Sequence, residues 1–211
     1  MIISLWHILF PWVLWKGSTE GQEIYLTFDD GPHPVYTPRL LDLLSQYNAK
    51  ASFFLLGEKV LLHPGIVERI EKEGHTIGNH GFSHHSMLFW KRERVVKEIL
   101  DTDYAIEKIT GKKPLFFRPP YGRFDLRFKK LMNKLNHTLV IWSFLTYDFK
   151  ETNPEKLIKK VREKIHAGDI VLFHDGHSNT PVMLETFPDI LTSLHHLGYQ
   201  TKTLEQITYG E

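Results

Sequence analysis

Two adjacent carboxylates, Asp29 and Asp30, stand at the end of the apolar, β-prone run Ile24 to Phe28 and before Gly31-Pro32. Successive strand residues point to opposite faces, so both acids can serve one site only if the chain bends there, and Gly31-Pro32 is the expected bend. Two carboxylates held close repel unless a cation intervenes. The pair therefore suits one metal-binding acid beside one catalytic base, although an Asp-Asp-Gly-Pro surface turn is the bland alternative. Downstream, Asn79-His80-Gly81-Phe82-Ser83-His84-His85 puts His80 and His84 four residues apart. On a helix that spacing shares a face; Gly78, Asn79 and Gly81 argue for a tight loop, and either geometry offers two nitrogens to one metal. Asp30 would complete a two-His-one-carboxylate set with positions left open for water and substrate. His85 is a weaker third ligand, because His84 has the better spacing, and His195-His196 read as surface histidines at a helix end.

Two further strand ends carry polar groups. Phe116 to Gly122 holds Arg118 before Pro119-Pro120, which forbid regular helix and fix one cation that can orient a carboxylate. Ile170 to Phe173 ends on His174, either a satisfied structural histidine or a general acid at the rim of a site.

With 211 residues, 42% hydrophobic and 24% charged, the chain is most simply one soluble-type domain with a substantial core. A formal net charge of +1 provides no strong field for nucleic acid, and none is expected as a partner. Cysteine is absent, which rules out disulfides and thiolate ligands and leaves the compartment open. The remaining metal donors are carboxylates and 13 histidines, a set that favours zinc or a neighbouring transition metal over magnesium or calcium. Lys159, Lys160, Arg162 and Lys164 read as the solvated face of a helix, and Gly31 and Gly57 are too isolated to form a phosphate loop.

The elements that must position these groups alternate between apolar strands and amphipathic helices. Strands are expected at Ile24 to Phe28, Ala51 to Leu55, Thr76 to Gly78, Leu115 to Arg118, Thr138 to Trp142, Ile170 to Phe173 and Tyr199 to Thr201. Helices are expected near Pro38 to Gln46, Pro64 to Glu73, Lys91 to Ile109, Leu126 to Asn136, Pro154 to His166 and Pro181 to His196. Prolines at helix starts and glycines after helix ends support these bounds. Such alternation implies an α/β fold with parallel strands, and about seven units make a distorted (β/α) barrel the expected form. Its chemistry would lie at the carboxyl ends of the strands, where Asp29, Asp30, His80, His84, Arg118, Asp148 and His174 all fall, Asp148 after the fifth strand and His174 after the sixth.

Residues 1–22 read as an apolar arm ahead of a domain spanning 23–211. Met1 to Trp15 is strongly apolar but shorter than the roughly 20 residues of a spanning helix, and it has no basic start or small-residue cleavage site of a signal peptide. Packing of Trp6, Trp12 and Trp15 on the domain and contact with a membrane surface are equal readings. Localisation and oligomeric state stay open.

Taken together and in order, these segments resemble the polysaccharide deacetylases of carbohydrate esterase family 4, from about Glu23 to about Glu205. The resemblance implies a metal-dependent N-deacetylase acting on an N-acetylated glycan of peptidoglycan or chitooligosaccharide type. It makes Asp29 the base and Asp30, His80 and His84 the ligands of a divalent ion, zinc first, with cobalt, nickel or manganese as alternatives. It makes Arg118 the support of the acid-base network and gives the oxyanion to the Tyr121 N–H. Leu172 becomes the wall for the acetyl methyl and His174 the general acid; Pro120 and Phe149 join the substrate-binding set. In Leu145-Thr146-Tyr147-Asp148-Phe149 the family's second acid is kept as Asp148, where it can tune Arg118 or His174, but Leu145 replaces its first acid and Phe149 its tryptophan. Gly81 and His85 stand where a hydroxyl residue and a proline are common. The departures bear on substrate shape and rate more than on reaction class. Two competing expectations are a catalytically silent glycan-binding module and a deacylase of a non-sugar amide.

Overall fold

The computed structural model describes residues 5–208, without the side chains of Leu5 and His7. Eight strands follow the chain: β1 Glu23–Gly31, β2 Ala51–Leu55, β3 Thr76–Asn79, β4 Phe116–Phe117, β5 Thr138–Leu139, β6 Phe144–Leu145, β7 Ile170–His174 and β8 Gln200–Thr201. Between and around them lie α1 Leu5–Leu9, α2 Tyr36–Gln46, α3 Gly57–Leu62, α4 Pro64–Lys72, α5 Arg92–Thr110, α6 Arg127–Leu135, α7 Pro154–Lys164 and α8 Thr180–His196. The strands run in the order β5-β4-β3-β2-β1-β7-β6, every neighbouring pair parallel, and β8 pairs with the start of β1. Seven parallel strands thus form the expected distorted barrel as a curled half-barrel.

Side-chain alternation assigns the two faces of the sheet. On β1, Ile24, Leu26 and Phe28 join the large core shared with the helices, with Val171 and Phe173 of β7 beside them. Tyr25 and Ile170 point the other way, into the smaller inner cluster with Leu14, Phe54, Phe116, Val140 and Leu204. Continuing that inner parity by twos reaches Thr27 and Asp29 on β1, and Leu172 and His174 on β7. The inner face therefore turns from apolar to polar as the strands approach their carboxyl ends.

The half-barrel does not close by pairing β5 with β6; the arm lies across the opening. The Leu14 N–H donates to the Leu139 carbonyl at 2.8 Å, and Ile141 N–H to the Leu14 carbonyl at 2.9 Å. Gly17 N–H reaches the Gly168 carbonyl at 2.8 Å, and the Lys16 ammonium lies 3.2 Å from Asp169. Val13 is buried, and Phe10, Trp12 and Trp15 pack around Phe124 against a third cluster built on α6. Trp6, Ile8 and Leu9 are exposed.

Several bounds differ from the sequence reading. β1 runs through Gly31 rather than stopping at Phe28, and the Thr138 to Trp142 strand is only two residues long with a bridge at Val140. The short β6 and α3 carry no usable periodicity and were not expected. Asp148 consequently follows β6, and His174 ends β7 instead of following it.

Candidate metal and acid-base site

The bend that lets Asp29 and Asp30 cooperate lies at Asp30, not at Gly31-Pro32. Asp29 pairs with Phe54 and Gly31 with Leu55, so Asp30 is an extra residue bulged from the ladder. Its φ is 73°, in the left-handed region. The bulge keeps both carboxylates on the inner side: Asp29 Oδ2 lies 3.7 Å and Asp30 Oδ1 3.5 Å from the same nitrogen, His80 Nε2.

His80 and His84 lie on a loop after β3, which decides between the two geometries left open by their spacing. The Nδ1 of His80 is 2.7 Å from the Arg118 carbonyl, which can only accept. Nδ1 therefore carries the proton, and Nε2 presents a lone pair to Asp30. His84 Nε2 lies 3.0 Å from the same oxygen, Asp30 Oδ1, which is buried and receives no hydrogen bond. One ligand atom from each of Asp30, His80 and His84 lies within 4.8 Å of the others. An orphaned carboxylate oxygen opposed by an imidazole lone pair is the arrangement a divalent cation resolves, so these residues fit the ion that the donor set favours.

Asp29 is held on its other side. Arg118, fully buried at the end of β4, donates from Nη1 to Asp29 Oδ1 at 2.6 Å and to the Thr27 hydroxyl at 2.8 Å. The Thr27 hydroxyl in turn donates to the Val171 carbonyl at 2.8 Å. The guanidinium lies 4.0 Å from the Phe54 ring centroid, which fixes its plane. Oδ1 of Asp29 is thus occupied, and Oδ2 faces His80.

His174 is the register partner of Asp29 on the neighbouring strand. Its Nδ1–H donates to Asp148 Oδ1 at 3.0 Å, and its backbone N–H to Asp148 Oδ2 at 2.8 Å. Burial opposes the imidazolium, but the Asp148 hydrogen bond and charge, with Asp29 and Asp30 adding, push His174 up to about 9. Asp148 contacts His174 and not Arg118, which decides between its two expected partners. The Thr146 hydroxyl donates to the Leu172 carbonyl at 2.6 Å and accepts the Asp148 N–H at 3.3 Å; Asn179 donates to the Asp148 carbonyl at 2.7 Å.

The remaining expected residues surround this centre. Tyr121, in a 3-10 turn at Pro120–Gly122, has φ 61° and is exposed, with its ring 4.7 Å from that of His84. Pro120 is buried beside Gly81, where a side chain would approach its ring at 3.7 Å. Leu172 is buried in register with Thr27 and Leu145. The Phe149 ring lies 5.3 Å from His174 and 6.0 Å from His177, edge-on to both. The sequence reading missed Thr27, Thr146, Asn179 and Asp175. Asp175 is fully buried behind the bulge: burial pushes its carboxyl up to about 7, the Thr37 hydroxyl opposes this, and Asp30 adds to it. A polar residue inside an apolar strand was the available signal for Thr27, and an acid directly after the end of one was the signal for Asp175.

Fold and site together define a parallel half-barrel in which a metal-capable Asp-His-His set and an acid-base pair converge at the strand ends. A sequence profile of polysaccharide deacetylases matches residues 16–140, and the chain belongs to that family, carbohydrate esterase family 4. It is 36% identical over 198 residues to a peptidoglycan-N-acetylglucosamine deacetylase of Bacillus cereus, covering 93% of this chain and 92% of that one. The crystal structure of the Bc1960 peptidoglycan N-acetylglucosamine deacetylase superposes with a TM-score of 0.90 at 33% identity, over 93% of this chain and 92% of the other. BA3943 from Bacillus anthracis, a family 4 pseudoenzyme, superposes at 0.84 with 28% identity, over 92% of this chain and 67% of its own.

Proposed function

We propose that this chain is a metal-dependent hydrolase that removes N-acetyl groups from hexosamine units of a glycan, with peptidoglycan as the first candidate polymer. The observation that carries the reading is the buried Asp30 Oδ1, which receives no hydrogen bond and faces His80 Nε2 and His84 Nε2, with Asp29 Oδ2 alongside. Asp30, His80 and His84 would hold the divalent ion, zinc by preference, and when bound it supplies Lewis acidity to the acetamide oxygen and lowers the pKa of the attacking water.

The chain's own residues move the protons. Asp29 accepts a proton from water at Oδ2 while Arg118 keeps Oδ1 occupied and the carboxylate fixed. The Tyr121 N–H donates to the developing oxyanion, whose carbon is flanked by the Leu172 wall around the acetyl methyl. His174 delivers a proton to the departing amine from Nε2, because Asp148 commits Nδ1–H to its own oxygen. Water adds to the carbonyl carbon, the C–N bond breaks, and acetate and a free amino sugar leave. Pro120 and Phe149 border the place where the sugar would lie.

Family 4 includes a pseudoenzyme of the same architecture, and Leu145 and Phe149 replace an acid and a tryptophan common in the family. These observations favour a second reading, a silent glycan-binding module. Release of acetate and free amine should be measured with zinc, cobalt, nickel and manganese on peptidoglycan fragments, acetylated chitooligomers and simple amides. Metal-dependent amine on a glycan is the expected result. Glycan binding without amine under every metal would establish the silent module, and turnover of simple amides alone would move the substrate away from sugars.

A further inference from the structure

Helix α5 runs behind the loop that carries both imidazoles and grips it at two places. The loop needs that grip, because His84 has φ 56°, a conformation a residue with a Cβ keeps only where its surroundings over-determine it. Glu98 accepts the backbone N–H groups of Phe82 at 2.9 Å and Ser83 at 3.0 Å through Oε2, and the Ser83 hydroxyl at 2.8 Å through Oε1. With its proton spent on Glu98, the Ser83 oxygen accepts from His85 Nδ1 at 2.8 Å. His85 is thereby tied to the same support.

The second grip lies at the root of the loop. Asn79, fully buried at the end of β3, donates from Nδ2 to Asp103 Oδ1 at 2.7 Å and to the Ile99 carbonyl at 2.8 Å. Both partners are acceptors, which fixes the amide orientation. Its Oδ1 then receives the Gly81 N–H at 2.7 Å, one residue after His80. Asp103 is itself held: Oδ2 lies 2.9 Å from His137 Nε2 and 3.5 Å from Lys113 Nζ. The two acids stand five positions apart on α5, so one helix fixes both the beginning and the middle of the loop.

We propose that Glu98 and Asp103 are positioning residues of the metal centre, setting ion affinity by holding the His80–His84 loop in its ligating conformation before the ion arrives. This rests on the metal reading given above. Partners behind metal ligands typically change affinity by about 10–100-fold when removed. Without Glu98, the Phe82 and Ser83 amides lose their acceptor, His84 relaxes from the left-handed region, and binding must order the loop again.

The test is the zinc dissociation constant, measured by competition with a chromophoric chelator on the full chain, together with amide hydrogen exchange of the metal-free protein. Glu98→Ala should weaken zinc binding by about 10–100-fold and speed exchange at Phe82 and Ser83. Glu98→Gln, which keeps one acceptor oxygen, should fall between it and wild type, and decides the matter if the alanine variant does not fold. Asp103→Asn should weaken zinc and speed exchange at Gly81. Wild-type affinity and wild-type exchange in folded Glu98→Gln and Asp103→Asn would overturn the inference while leaving the ligand set standing. A wild-type chain that takes up none of zinc, cobalt, nickel and manganese would overturn the metal reading, and the inference with it.

Discussion

Two neighbouring aspartates have different partners. Asp29 is bound by Arg118 through one oxygen, and Asp30 faces two imidazoles through an oxygen that receives no proton. His174, across the strand from Asp29, is raised to about 9 chiefly by Asp148 against the opposing effect of burial. A general acid must be protonated, so the proposed activity should persist up to the His174 pKa and fall as pH rises through it. A bound cation would offset part of the Asp29 and Asp30 contribution and bring that limb somewhat lower. Asp148→Asn removes the main group favouring the imidazolium, so the basic limb should move to lower pH, which a pH–rate profile of both proteins reads directly. The same sign governs stability: a raised histidine stabilises fully below its unfolded value of about 6.5 and loses that contribution as pH rises toward 9.

At the scale of elements, the site depends on irregularities in the strands and turns as much as on regular pairing. The extra residue in β1 turns Asp30 inward, and the turn before β7 brings the arm to the sheet. Gly168 in that turn has φ 81°, and a Cβ there would lie 2.5 Å from the Gly17 carbonyl oxygen and 2.6 Å from that of Ser18. Both obstacles are backbone. Gly168→Ala should therefore destabilise the fold by more than the ~1 kcal/mol of a simple glycine replacement, seen as a lowered midpoint in denaturant unfolding with an unchanged slope. The sequence disclosed Asp29, Arg118 and His174 because each interrupts or ends an apolar run, and His80 by its four-residue spacing from His84. It did not disclose the Asp30 bulge, which exists only relative to Phe54 and Leu55 on the partner strand. Two-residue β6 has no periodicity to read and is defined by pairing with Val171 and Leu172. Thr27 and Asn79 lie inside strand patterns where only the partners across the sheet and on α5 give them meaning.

At the scale of the molecule, an apolar barrel floor, a polar upper rim and a helix behind the His80–His84 loop direct these side chains to one place. The arm spans the opening, bonded on one side beside β5 and on the other to the turn before β7, and its aromatic residues pack on Phe124, in the segment that follows Arg118 and Tyr121. The central claim is the divided labour of the aspartates, one holding the ion and one moving the proton. It is tested most directly by acetate release from an N-acetylated peptidoglycan glycan under zinc titration, comparing wild type with Asp29→Asn at measured zinc content. The account predicts equal zinc uptake and a rate about 10²–10⁴-fold lower in Asp29→Asn. Wild-type rates in a zinc-loaded Asp29→Asn would contradict it.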